Sequence, residues 1–270
     1  MRRGGSAVWR FRATVEYDGT EFAGFQAQPG IRTVQGELEA ALVRLSGGIR
    51  QPVDGAGRTD AGVHATGQVI AFTYPGRLDA AGLTEALNGL LPPDVAVRGV
   101  RRVPADFHPR YAARYRDYRY TIWNGPHSPL RERTALRVRT DLDVAAMVRA
   151  ATALEGRHDF SALGGADPRP VRTVHRIRVR RQGRLVTIDV RADAFLRGMV
   201  RRIVAVLLAA GTGRLDASAI PELLAARQPA LDGAAAPARG LCLTRVVMGR
   251  PAAGRRSEQD RNSRTGHEEA

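Results

Sequence analysis

Lysine is absent from this chain, and all 42 of its basic residues are arginine. Such a void is the mark of a coding bias, so arginine at any single position carries no weight, although the summed charge does. Cysteine is nearly absent as well. The one thiol, Cys242, stands among Leu241, Leu243 and Val246, where a small buried hydrophobe is the simpler reading than a reactive group. One thiol excludes an internal disulfide and agrees with a reducing compartment. No run of about 18 uncharged apolar residues occurs, which argues against a membrane-spanning helix. The first thirty residues lack the apolar core and small-residue cleavage site of a secretory signal. The expectation is a soluble cytoplasmic protein with no membrane partner.

What is present is ordinary globular composition, 43% apolar and 26% charged over 270 residues, enough to build a sizeable core. The balance is not ordinary. A formal charge of +15 and a pI near 11.3 point to a polyanionic partner, because contacts to phosphates release condensed counterions.

Hydrophobic spacing divides the chain into two similar halves. Alternation through Phe11, Ala13, Val15 and Tyr17 predicts a strand that stops at Asp18-Gly19. Thr33 then caps a helix carrying Val34, Leu38, Ala41, Leu42 and Leu45, closed by Gly47-Gly48. A glycine-rich loop (55–62), a strand (68–74), a helix (80–91) ended by Pro92-Pro93, and strands at 95–103 and 113–123 follow. The second half repeats the style, with a helix over 144–154 and paired strands at 172–181 and 184–192. A strongly striped helix follows, through Leu196, Met199, Val200, Ile203, Val204, Leu207 and Leu208. A helix over 218–227 and a last strand over 241–248 complete the pattern. The fold class is α+β: two α/β halves of ferredoxin-like or RRM-like type, joined through one mainly antiparallel sheet. The halves are expected at 1–110 and 111–249. Residues 250–270 are charged and lack large apolar side chains, so they are expected to form a disordered tail.

The most informative segment runs from Gly55 to His64, where three glycines surround Arg58 and Asp60. Glycines there allow tight bends and close approach of a ligand. A dinucleotide fingerprint fails, because Asp60 replaces the third glycine and would repel a pyrophosphate. Asp60 and His64 could share a metal only on a helix, which the glycines disfavour, and no third ligand is apparent. Downstream, Arg114, Arg116, Tyr118 and Tyr120 share one face of their strand. That face suits either a base-stacking platform or core packing. Arg201 falls at the border of the apolar stripe on its helix, where it could reach a cleft or simply face solvent. His64, His108 and His158 are read as partners of backbone groups, and Arg110 as a weak candidate for a phosphate contact.

The run GRTDAGVHATGQV (57–69) resembles the signature loop of the bacterial A-type family of tRNA pseudouridine synthases. Tyr17-Asp18-Gly19, Gly24-Phe25-Gln26, Thr33-Val34-Gln35, Asp106-Phe107-His108 with Arg110, Tyr118-Arg119-Tyr120, Asp159-Phe160, Phe195 to Arg201 and Gly240-Leu241 extend the likeness in the family's order. Phe25, where the family commonly has tryptophan, and Cys242 depart from the pattern. The resemblance implies the pseudouridine synthase fold and an isomerase acting on uridines 38, 39 and 40 of the tRNA anticodon stem-loop. It also implies a homodimer and a reaction needing neither metal nor organic cofactor. Asp60 corresponds to the family's nucleophile, and Tyr118, Arg58 and Arg201 to substrate-binding residues. Arg201 is implied to pair with Asp60, and Arg58 to hold an extruded nucleotide, although an ion pair ordering the loop is the other reading of Arg58. The alternative function is a catalytically silent RNA-binding protein of the same fold.

Overall fold

The structure, a computed structural model, describes residues 8–226 and 229–249; the expected tail lies outside them. The first half runs β1 (Trp9–Tyr17), α1 (Val34–Leu45), β2 (Val53–Gly55), β3 (His64–Tyr74), α2 (Ala80–Leu90), β4 (Val95–Arg102). A four-residue turn of helix, α3 (Pro109–Ala112), leads into the second: β5 (Ala113–Trp123), β6 (Leu136–Arg137), α4 (Val144–Leu154), β7 (Gly156–Asp159), β8 (Val171–Gln182), β9 (Leu185–Ala192), α5 (Met199–Gly211), α6 (Ile220–Ala225) and β10 (Leu241–Met248).

Both halves share one topology. In the first, β1 lies between β4 and β3, and β2 pairs with one end of β3. In the second, β5 lies between β10 and β9, and β8 follows β9. Apart from two short additions in the second, β6 paired in parallel with β5 and β7 at the edge beside β8, each is a β-α-β-β-α-β unit of antiparallel pairs with its fourth strand beside its first. The units fuse because β10 also pairs, in parallel, with the start of β3 through Cys242↔His64 and Leu243↔Ala65.

Local chemistry explains the elements. In β1, Phe11, Ala13, Val15 and Tyr17 are buried while the residues between them are not, the period of a strand with one wet face. The Thr33 hydroxyl accepts the Gly36 N–H, and the Asp143 carboxylate accepts the Ala146 N–H at 2.9 Å, capping α1 and α4. Helix α5 starts at Met199 rather than at Leu196. Gly198 sits at φ +70°, which interrupts the helical backbone, so Leu196 is buried from the loop ahead of the helix. The α5 residues Ile203, Val204 and Leu207 are wholly buried with Met147 and Leu154 of α4, and each such side chain contributes about 1.5–3 kcal/mol by leaving water. Strand β3 begins at His64, four residues before the expected position, because β10 pairs with His64 and Ala65 and β1 reaches Ala65 through Tyr17.

The second face of the sheet is solvated and rich in arginine, with Arg119 and Arg191 paired to Asp189 and Asp117. Cys242 belongs to this face and is half-buried beside Thr66. Strand alternation turns Leu241 and Leu243 into the core and Cys242 away from it, correcting the expectation that its side chain joins them. Among the described residues no helix is long and apolar enough to cross a membrane.

Candidate active site

The loop between β2 and β3 is fastened by hydrogen bonds at several of its backbone groups. Ala56 N donates to Val69 O at 2.8 Å, Phe25 N to Thr59 O at 3.1 Å and Gly62 N to Phe22 O at 3.2 Å. The buried Gln68 amide donates to Gly57 O at 2.8 Å, and the Tyr17 and Thr59 hydroxyls lie 2.8 Å apart in the core. Gly24 passes beneath at φ +102°, where an added Cβ would stand 2.8 Å from Thr59 O. Alternation from the buried Thr59 leaves Arg58 exposed and Asp60 about one-third exposed.

Asp60 meets a cation from the other half. Its Oδ2 lies 3.6 Å from Nη1 of Arg201, an ion-pair separation longer than a hydrogen bond. Arg201 sits in the first turn of α5 and is itself anchored: its Nε donates to Ala236 O at 2.7 Å, and Ala236 N donates back to Arg201 O at 3.0 Å. The guanidinium is thus held beside the carboxylate while one of its edges stays committed to the backbone.

Tyr118 joins them from β5. Its ring is 7% exposed and stands edge-on to Phe195, with centroids 5.2 Å apart. Burial pushes the phenol up to about 12, with Arg116 pulling it down and Asp60 pushing it further up. At neutral pH the group is therefore an un-ionised phenol. Its hydroxyl makes no hydrogen bond among the described residues and is available to a substrate. Tyr120, on the same face, is wholly buried and donates to Pro237 O at 2.8 Å, a structural role.

Of the four residues singled out, the structure brings Asp60, Arg201 and Tyr118 together. Arg58 stands on the loop's outer side, with no ion pair or hydrogen bond among the described residues, so the loop is ordered by its backbone and by Thr59 instead. The histidines hold backbone. Gly19 N donates to His64 Nδ1 at 3.0 Å, the ring's Nε2 lies 2.8 Å from Arg133 O, and His158 Nε2 lies 2.7 Å from Glu155 O. His108 accepts the Arg110 N–H.

Arg116 was not among the candidates. Its half-buried guanidinium bonds Ala56 O of the loop, Asp193 O after β9 and Arg110 O of α3. Its place on the Tyr118 face was the only sequence signal, and a cation bonded to carbonyls leaves no motif. Among the described residues no group of three or more His, Cys, Asp and Glu side chains is placed to hold a metal.

A partly exposed aspartate on a fastened loop, paired with an arginine across two fused α/β halves of a strongly basic chain, suits a site that meets a polyanion, and comparison with known proteins gives the class. The family described as tRNA pseudouridine synthase matches residues 13–112 and 150–247. The tRNA pseudouridine synthase A of Shouchella clausii is 44% identical over 246 residues, 90% of this chain and 94% of its own length. That of Moorella thermoacetica is 47% identical over 87% of this chain and 98% of its own, and that of Myxococcus xanthus 44% identical over 88% and 91%. The chain belongs to the tRNA pseudouridine synthase family. It is an isomerase of that class.

Proposed function

We propose that this enzyme isomerises uridines 38, 39 and/or 40 in the anticodon stem-loop of tRNA, with Asp60 as its essential carboxylate. The carrying observation is that Asp60, on a fastened loop, lies 3.6 Å from an anchored Arg201 with the Tyr118 phenol beside it. The isomerisation breaks the bond from ribose C1′ to N1, turns the base and forms a bond from C1′ to C5. The proton lost from C5 is balanced by one gained at N1, so no oxidant or energy source is consumed. The Asp60 carboxylate either attacks C1′ or removes the 2′ proton to give a glycal. Arg201 orients it. Tyr118, a phenol at neutral pH, donates a hydrogen bond to the uracil as it turns; the C5 proton is taken by the Asp60 carboxylate, or by the Tyr118 oxygen as its own proton passes to N1. Arg58, exposed and unpaired among the described residues, contacts phosphate and fills the space that the extruded nucleotide leaves. The half over 1–110 supplies the loop and that over 111–249 completes the cleft. The enzyme acts on tRNA in the cytoplasm as a homodimer.

The test is release of tritium from tRNA labelled at uridine C5, with chelator present. Release by the wild-type protein is expected. Asp60→Ala is expected to abolish it while leaving tRNA affinity within about tenfold, since a lone carboxylate contributes little to binding a polyanion. Tight binding without release by the wild type would leave a silent RNA-binding protein, and turnover by Asp60→Ala would remove Asp60 from its role.

A further inference from the structure

Tyr111 is unusual among the aromatic residues in being 71% exposed. It is not loosely held. It lies in α3, whose first residue is Pro109 and whose cap is the His108 ring, accepting the Arg110 N–H at 3.2 Å; Ala112 N also donates to His108 O at 3.0 Å. The His108 ring braces the tyrosine from one side, with centroids 4.6 Å apart and planes tilted by 38°. Behind it, His108 Nε2 stands 3.7 Å from Asp54, which is paired to Arg10, and Arg10 in turn donates to Phe107 O at 2.8 Å. An aromatic ring is thus presented to solvent on a fixed mount.

The mount is tied to the catalytic loop. Arg116 donates to Arg110 O at 3.4 Å and to Ala56 O at 3.2 Å through its Nε, and to Asp193 O at 2.9 Å. Tyr111 follows one of these carbonyls by one residue, and Arg58 follows another by two. Exposed arginines stand on either side of the ring in the chain, Arg110 directly before it and Arg114 three residues after, and a third, Arg58, lies two residues beyond the Ala56 carbonyl that Arg116 holds; none of them has an ion pair among the described residues. An exposed, braced ring among unneutralised cations is the arrangement that holds a nucleic-acid strand: phosphates on the cations, a base on the ring.

Resting on the function proposed above, we infer that Tyr111 is a nucleobase-stacking subsite for the RNA strand next to the extruded uridine, with Arg110 and Arg114 on its phosphates. The ring orders the flanking strand, so that it acts on binding and not on the bond changes at C1′.

Tyr111→Ala and Tyr111→Phe are measured against wild type with unmodified tRNA and with an anticodon stem-loop carrying 2-aminopurine beside the target. The alanine variant is expected to raise Kd and KM about tenfold, as for loss of one base stack. Its kcat is expected within about twofold of wild type, with 2-aminopurine quenching on binding lost. Phenylalanine is expected to restore all three. Wild-type affinity and quenching in Tyr111→Ala would overturn the inference, as would a failure of phenylalanine to restore them. A dimer converted to monomer by Tyr111→Ala in light scattering would assign the ring to a contact between copies, and would also overturn it. If wild type releases no tritium, the functional reading fails; if wild type turns over and Tyr111→Ala matches it, only the stacking subsite fails.

Discussion

The Asp60 carboxylate and the Arg201 guanidinium meet at 3.6 Å across the junction of two separately built units, one on the loop before β3 and the other on α5. Each is held by backbone and not by the other: Asp60 through its neighbours Thr59 and Gly62, Arg201 through Ala236. Their separation is therefore set by the packing of the halves, and the carboxylate is spared from satisfying the guanidinium alone.

Arg201→Ala is expected to lower kcat about 10²-fold, the usual cost of removing one preorganised charged partner, with a smaller change in tRNA affinity. Arg201→Lys is expected to fall between the two, because an ammonium cannot keep the Ala236 hydrogen bond and the carboxylate contact in the same fork geometry. Single-turnover assays check both, and equal activity in the alanine variant would contradict the orienting role.

Tyr118→Phe retains the edge-on packing against Phe195 and removes only the hydroxyl. Turnover is expected to drop by about 10²–10⁴, the range for loss of a proton-transfer group, while Kd for tRNA stays within about threefold. A kcat near wild type would show that the ring, and not its hydroxyl, is what the site uses.

Burial raises the phenols of Tyr17, Tyr118 and Tyr120 above the ordinary value near 10, Tyr118 to about 12. Below pH 10 both folded and unfolded chains keep these protons, and the folded state has its full stability. Above it the unfolded chain loses protons that the folded chain retains, so stability falls as pH rises toward the folded values. For Tyr118 alone the loss is on the order of 3 kcal/mol once pH passes its folded value, and about half of that at pH 11. Urea midpoints at pH 8 and pH 11 are expected to differ accordingly, by less in Tyr118→Phe; equal midpoints would rule the effect out.

Gly24→Ala is expected to destabilise the fold by about 1–3 kcal/mol. Its φ of +102° is strained for any side chain, and the new methyl would press on Thr59 O from 2.8 Å. Because that carbonyl belongs to the residue before Asp60, kcat is expected to fall while tRNA binding persists. Thermal unfolding and turnover, measured on one preparation, check both.

Elements whose cause is local were legible in the sequence. Thr33 supplies a cap next to a helical stripe, the alternation of β1 needs no distant partner, and the spans of α4 and of β10 were expected as they stand. What was hidden depends on contact between remote segments. The three residues of β2 are a strand only because β3 lies alongside, and the early start of β3 needs β10. Gly198 looked like one more residue within the stripe until its left-handed backbone moved the start of α5. At the site, the glycine-rich run and the strand face of Tyr118 were visible, while Asp60, Arg58 and Arg201 were singled out through the family resemblance of their motifs. The Arg116 clamp could not be named, since its acceptors are main-chain oxygens that any sequence possesses.

Strand β10 gives the chain an order of assembly. It is the last described strand, yet it occupies the middle of the sheet, pairing with β3 on one side and β5 on the other. During synthesis the aspartate-bearing unit is translated long before anything can join it to its basic counterpart, so a nascent chain carries the reactive loop without a finished cleft. The two halves of the cleft are tied into one sheet only by this closing strand, so the residues that join them are among the last of the described chain to be made.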